Sequence, residues 1–344
     1  MVAFIKDYDF AGLQTLMKDL GFPAFRAKQL YEWLWIHHVK DYSDMNNLPK
    51  AMRTTLSQGY PLFTPRIYHR AVSEDGTRKY VFELHDGQLV EAVGMPSLTD
   101  NNHLTVCFST QVGCAMECAF CATGKEGFTR NLSAGEMVDQ ALLIQEDFGM
   151  RVSNLVAMGQ GEPFLNYENV LRALHILNNP KGIAIGARHI TVSSCGIIPG
   201  ITRFAEEPEQ FTLAISLHSA RQNLRNDIMP RISNMPLVEL KSALAAYIEK
   251  TNRRVTFEYI MIKGYNDSQR DLDALIDYCS GLLCHINLLP VNPTADSPLK
   301  PSSQETINSW IRTLKANGIE TTMRNSRGKD IQGACGQLKN SLGV

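Results

Sequence analysis

Cys114, Cys118 and Cys121 form a Cys-x3-Cys-x2-Cys run, and this spacing constrains the chain more than any other feature it carries. So short an arc can wrap three thiolates around one inorganic centre. A structural zinc site closes with four protein ligands, and electron-transfer iron–sulfur clusters take four cysteines. A triad with no fourth cysteine close after it leaves one metal vertex free for a substrate. Two plainer readings stand beside this one: cysteines buried as small hydrophobes, or a zinc site completed by a distant His or Cys. Core cysteines scatter along a sequence, whereas these repeat at ligand spacing.

The rest of the composition is ordinary. With 44% hydrophobic and 20% charged residues and a formal net charge of -1 over 344 residues, the chain suits one large domain plus a smaller accessory piece. Composition alone does not point to nucleic acid. The N-terminal Met-Val-Ala-Phe-Ile-Lys-Asp-Tyr-Asp is broken by charges where a signal peptide is apolar, and no run approaches the ~20 apolar residues of a membrane span. The expectation is a cytoplasmic protein with no membrane partner. In that compartment thiols stay reduced, and clustered cysteines bind metal or do chemistry.

Phe10, Leu13, Leu16, Met17 and Leu20 recur at helical spacing between an N-cap at Asp9 and a stop at Gly21. Further helices are expected from about Pro23 and after Leu48-Pro49. Residues 1–62 thus form a small helical accessory domain, whose Trp33, Trp35, His37 and His38 suit either packing or stacking on RNA bases. Residues 63–100 alternate polar and apolar around Glu74-Asp75-Gly76 and His85-Asp86-Gly87, which predicts a β-meander.

From residue 101 to 344 strands alternate with helices, which implies parallel strands with helical crossovers. Strands are expected near 104–109, 154–158, 188–193, 211–216, 254–261 and 285–289, with a last one near 319–323. The fold class is α/β, a partial (β/α)6 barrel. Functional groups in such folds gather at the C-terminal ends of the strands. The cysteine loop follows the first strand and Gly161-Glu162 the second. Ser193 ends the third, Ser216 and His218 end the fourth, and Asn292 follows the sixth.

The triad, followed by Ala122-Thr123-Gly124, resembles the signature of the radical S-adenosylmethionine (SAM) superfamily. Gly159-Gln160-Gly161-Glu162-Pro163 and Gly333-Ala334-Cys335-Gly336-Gln337-Leu338 narrow the resemblance to the RlmN and Cfr family of RNA adenosine methyltransferases, along nearly the whole chain. This implies one 4Fe-4S cluster on Cys114, Cys118 and Cys121, with SAM bound by Gly161, Glu162, Ser193, Ser216, Leu217, His218 and Asn292. By the same resemblance Cys335 accepts a methyl group from one SAM, and a second SAM provides the radical that activates it. Cys107 matches the resolving cysteine, which would leave a transient Cys107–Cys335 disulfide, and Glu91 matches a proton acceptor.

The implied product is an adenosine of 23S rRNA methylated at C2, with tRNA as a second substrate of that family. The Cfr-type reaction at C8, which confers antibiotic resistance, and a non-catalytic metal-stabilised RNA-binding module are the alternatives. Gly127-Phe128-Thr129-Arg130-Asn131-Leu132 looks RlmN-like. An external donor such as flavodoxin and a monomeric state are expected. Two residues depart from the family pattern, Gln160 in place of Met and Cys195 in place of Ser. Arg324, Arg327 and Lys329 are cations near Cys335 in sequence, and Arg253, Arg254, Lys125 and Arg130 add basic spots for RNA. Cys279 and Cys284 are read as core.

Overall fold

The computed structural model describes residues 4–100, 102–293 and 298–339. Three helices come first: α1 (Phe10–Asp19), α2 (Arg26–Trp35) and α3 (Lys50–Gly59). Asp9 caps α1, its carboxylate accepting from the Gly12 N–H at 2.7 Å, which satisfies a donor that a first helical turn leaves free. Leu13, Leu16 and Met17 of α1 and Leu30 and Leu34 of α2 are buried. Trp35 is also buried, and Trp33 donates from Nε1 to Asn47 Oδ1 at 2.6 Å. Both tryptophans therefore serve the packing of this unit.

The meander consists of β1 (Arg66–Val72), β2 (Arg78–Glu83) and β3 (Leu89–Pro96). Its two turns place Gly76 and Gly87 at φ of 81° and 78°, where a side chain would be strained. Next come β4 (Leu104–Phe108), β5 (Gln111–Gly113), β6 (Phe128–Asn131), α4 (Ala134–Phe148) and β7 (Val152–Ala157). The alternation continues through α5 (Tyr167–Asn178), β8 (Ile190–Ser194), α6 (Ile198–Phe204), β9 (Thr212–Ser216), α7 (Gln222–Ile228) and α8 (Leu237–Thr251). It ends with β10 (Val255–Met261), α9 (Gln269–Cys279), β11 (Cys284–Pro290), α10 (Gln304–Ala316) and β12 (Glu320–Met323).

Ten strands form one sheet in the order β1-β2-β3-β4-β7-β8-β9-β10-β11-β12, and β5 with β6 makes a separate two-stranded ribbon. Within the ten-stranded sheet, the pairings β4-β7-β8-β9-β10-β11-β12 are all parallel. The expected partial barrel of six βα units is present, with β12 added in parallel at one edge. The meander continues this sheet: β3 pairs antiparallel with β4, Val93 opposite Cys107 and Pro96 opposite Leu104. The ribbon and the seven-residue α6 and α7 are too short to leave a periodic signal, and the sequence reading does not anticipate them.

The helical unit is tied to the sheet through α4. Lys6 Nζ donates to Asp139 Oδ1 at 2.8 Å and to Thr64 Oγ1 at 2.7 Å, and His38 Nε2 lies 3.0 Å from the same Asp139 oxygen. The Lys6, His38 and Asp139 side chains are all buried. A buried ion pair offsets its desolvation only when its remaining polar groups are bonded, and here Thr64 and Glu146, the latter on the other ring nitrogen of His38 at 2.5 Å, complete the set. His38 is therefore a packing residue of this junction.

Candidate active site at the C-terminal rim of the sheet

The loop between β5 and β6 carries the cysteine triad, and backbone contacts hold it in shape. The Cys114 N–H donates to Gly127 O at 2.7 Å, Ala119 N–H to Ile228 O at 2.9 Å and Cys121 N–H to Cys118 O at 3.0 Å. At Gly113, with φ of 74°, a Cβ would lie 2.0 Å from Gly127 O, so only glycine permits the ribbon to close. The three cysteines are half-buried and line one cavity.

The donor set separates the two metal readings. Thiolates bound to one zinc at ~2.3 Å would sit under about 4 Å from one another. Among the described residues only His175, Glu207 and Glu209 bring three metal-ligating atoms within 4.8 Å of one another, so the Cys114, Cys118 and Cys121 sulfurs do not all stand that close. Burial pushes the Cys114 thiol up to about 12 and Cys118 well above its usual value, and Cys121 beside them raises both further. Metal ligation deprotonates such thiols, and the site fits a cluster on these grounds.

Behind the triad, the turn after β7 forms a cradle. A Cβ on Gly159 would meet Ser109 Oγ at 2.5 Å, and one on Gly161, at φ of 105°, would meet Gln111 Cβ at 2.6 Å. Both glycines are therefore required by close approach of this turn to the β4–β5 connection. Glu162 is buried and accepts from the Cys195 N–H at 2.8 Å and the Phe164 N–H at 3.0 Å, while burial lifts its carboxyl above the usual range. Ser193, Ser216, His218 and Asn292 line the same cavity. His218 accepts at Nδ1 from the Ile260 N–H at 3.2 Å, and burial drives its pKa down to about 3, so the imidazole is neutral. Leu217 is not among the lining side chains; its backbone N–H donates to Glu258 O at 3.0 Å.

Cys335 lines this cavity and also an adjoining pocket that contains Cys107. Cys107 packs with Val93 and Leu338, and burial pushes its thiol up to about 12, with Cys335 adding to the shift and Arg324 opposing it. The C-terminal loop that carries Cys335 is fastened to the triad loop: Ala122 N–H donates to Gly336 O at 2.7 Å and Thr123 Oγ1 to Leu338 O at 2.6 Å. Asn292 Nδ2 donates to Cys335 O at 3.0 Å.

Glu91 is set apart from these groups. It lines a different pocket with His69, Lys79 and Asp330, fully buried, with Lys79 Nζ 3.3 Å away and the Lys339 N–H donating to it at 2.8 Å. Burial outweighs both and raises its carboxyl to about 7. Gln160 points the same way: its Oε1 accepts from the Glu91 N–H at 3.2 Å, and its side chain is not part of the cavity lining. Of the two departures only Cys195 faces the cavity.

Sequence reasoning did not single out Glu258, Met158 and Phe120, which also line the cavity. For Glu258 a signal exists, a lone acid in the apolar run Phe257-Glu258-Tyr259-Ile260 of a doubly covered strand. Several of the basic spots are committed internally. Arg130 pairs with Asp86 and Glu136, Arg327 with Asp75, and Arg253 donates to the Glu207 carbonyl. Among the described residues no helix is long and apolar enough to cross a membrane.

Comparison with known proteins agrees with this geometry. Residues 108–276 match the Radical SAM superfamily, and residues 5–60 match the ribosomal RNA large subunit methyltransferase N-terminal domain. The chain is 43% identical over 338 residues to a probable dual-specificity RNA methyltransferase RlmN of Clostridium perfringens, covering 98% of this chain and 96% of that protein. It is 42% identical over 336 residues to the corresponding protein of a Thermoanaerobacter species, covering 97% of each. The crystal structure of a radical SAM methyltransferase from Sphaerobacter thermophilus superposes with a TM-score of 0.91 at 43% identity, over 98% of this chain and 99% of that one. A cysteine triad at ligand spacing lining one cavity, two thiols sharing a pocket beside it and these full-length likenesses have one explanation: the chain belongs to the RlmN family of radical SAM RNA methyltransferases.

Proposed function

We propose that this protein methylates C2 of an adenosine in 23S rRNA, with tRNA as a second substrate, through a methyl group carried on Cys335. The observation that carries the reading is the pairing of Cys335 and Cys107 in one pocket that adjoins the cavity of the cysteine triad. An adenine carbon between two ring nitrogens is electron-poor and does not attack a sulfonium, so the methyl group has to arrive as a carbon radical. When bound, a cluster on Cys114, Cys118 and Cys121 together with SAM supplies a radical strong enough to take hydrogen from a methyl group.

The chain's own residues supply the rest. Cys335 takes the first methyl by polar displacement, Gly161, Glu162, Ser193, Ser216, His218 and Asn292 orient SAM, and the buried walls exclude water. Addition to the base leaves RNA tethered to Cys335 through a methylene. In release, a sulfur–sulfur bond forms between Cys107 and Cys335 as the sulfur–methylene bond breaks. The ring carbon loses a proton and the methylene gains one. The two electrons given up by the dithiol match the two that reduce the second SAM to methionine and deoxyadenosine. An external reductant then restores the thiols.

Glu91, with a carboxyl raised to about 7, suits a proton acceptor at neutral pH. It reaches the thiol pocket through the C-terminal loop, since it accepts from the Lys339 N–H and the neighbouring Leu338 packs on Cys107. Residues 1–62 act as an RNA-docking unit, 63–100 as an extension of the sheet and 101–344 as the catalytic core.

The test uses anaerobically reconstituted enzyme, SAM and RNA. Cys107→Ala traps a covalent protein–RNA adduct, and Cys335→Ala makes neither adduct nor product. Turnover in the Cys335 variant defeats the reading, and 8-methyladenosine in the digested RNA assigns the reaction to C8 instead.

A further inference from the structure

Arg324, Arg327 and Lys329 all stand near Cys335 in sequence, and the structure separates them. Arg327 lines the thiol pocket but is committed to Asp75, at 2.9 Å, and to the Pro96 carbonyl at 3.0 Å. Lys329 lines neither the main cavity nor the thiol pocket. Arg324 lines both, just beyond the end of β12, where its N–H donates to Leu288 O at 3.0 Å. Its Nη1 lies 3.3 Å from Met158 Sδ and 4.0 Å from Glu258 Oε2. The charge on its guanidinium is favoured first by Cys335, then by Glu258 and Cys107, against burial.

Glu258 completes the arrangement from below. Its Oε1 accepts from Asn287 Nδ2 at 2.9 Å, whereas its Oε2 is buried without a hydrogen-bond partner and faces Arg324. The thiol pocket itself is walled by Val93, Met95, Leu289 and Leu338 on its apolar side and by Asn325, Ser326 and Arg327 beside Arg324, with no carboxylate among the described residues that line it. Such surroundings disfavour a thiolate unless a cation offsets the loss of water.

We propose that Arg324, braced by Glu258, is a positioning residue that acts as the shared counter-cation of the Cys335 and Cys107 thiolates. The inference rests on the reading above, in which Cys335 is first a nucleophile toward a methyl group and Cys107 later a nucleophile toward the Cys335 sulfur. The two thiolates are needed at different times, so one guanidinium that lines both pockets serves both. Arginine suits the task because its charge is permanent and its planar fork holds a fixed direction, which the carboxylate of Glu258 sets.

Two quantities test this on the full-length reconstituted enzyme: the fraction of Cys335 carrying a methyl group, read by peptide mass, and the lifetime of the protein–RNA adduct on denaturing gels. Loss of one charge contact at partial burial is expected to slow both steps by roughly tenfold or more. Arg324→Gln therefore carries less methyl on Cys335 and holds its adduct longer. Arg324→Lys recovers most of both steps, and Glu258→Gln shows the same two defects in milder form. Wild-type methylation and release in Arg324→Gln overturn the proposal, as does a defect confined to one thiol, or a Lys variant no better than Gln. If the Gln variant does not fold, Glu258→Gln decides, and wild-type behaviour there is the overturning result. Cys107→Ala runs alongside: failure of that variant to trap an adduct counts against the reaction scheme itself, whereas trapping there with no effect at Arg324 counts against the counter-cation alone.

Discussion

Glu91→Gln isolates the energetic cost of the buried carboxyl behind the thiol pocket. In the fold its pKa is raised from 4.5 to about 7, chiefly by burial, with Lys79 and the Lys339 N–H pulling the other way. A carboxyl whose folded value is raised keeps its proton longer in the folded state than in the unfolded chain. Its contribution is therefore fully present below the unfolded value and is lost as pH rises through about 7. A gap of about 2.5 units at 1.36 kcal/mol per unit amounts to about 3 kcal/mol. The amide does not titrate, so the wild type should lose about 3 kcal/mol relative to Glu91→Gln between about pH 4 and about pH 8. Urea unfolding of the reduced protein at each pH, extrapolated linearly, measures the difference. Glu162 and Glu258 are raised by burial as well, but they are present in both proteins and cancel in the subtraction. A pH-independent difference refutes the reasoning, because it means that Lys79 and the Lys339 N–H keep Glu91 ionised throughout.

Two further perturbations address the frame and the cradle. Asp139→Asn leaves the Lys6 ammonium buried without its counter-charge, and a loss of roughly 3–5 kcal/mol is expected; a urea midpoint within error of the wild type contradicts the role given to this junction. Gly161→Ala forces a methyl group against Gln111 at a φ of 105°, so SAM binding by calorimetry should weaken by about tenfold or more, matching a backbone strain of ~1–3 kcal/mol, while far-UV circular dichroism stays unchanged.

Much of this protein is legible in its sequence. The ligand spacing of Cys114, Cys118 and Cys121 is set by a few neighbouring residues, and strand and helix periods are local as well, so the triad loop, the alternation from β4 to β11 and the rim positions of Glu162, Ser193, Ser216 and Asn292 follow without coordinates. What needed the tertiary structure was anything settled by register or close packing between distant segments. The pairing of Val93 with Cys107 joins the meander to the barrel sheet, and the hydrogen bonds from Ala122 and Thr123 to the C-terminal loop bring Cys335 into the pocket of Cys107. Arg130 and Arg327 look like free positive charge in the sequence, but each has an acidic partner in the fold. Glu258 and Arg324 lie far apart along the chain and acquire a shared role only where β10 and β12 flank β11. Local spacing dictates which chemistry a loop can hold, whereas charge and thiol partners depend on which strands lie side by side.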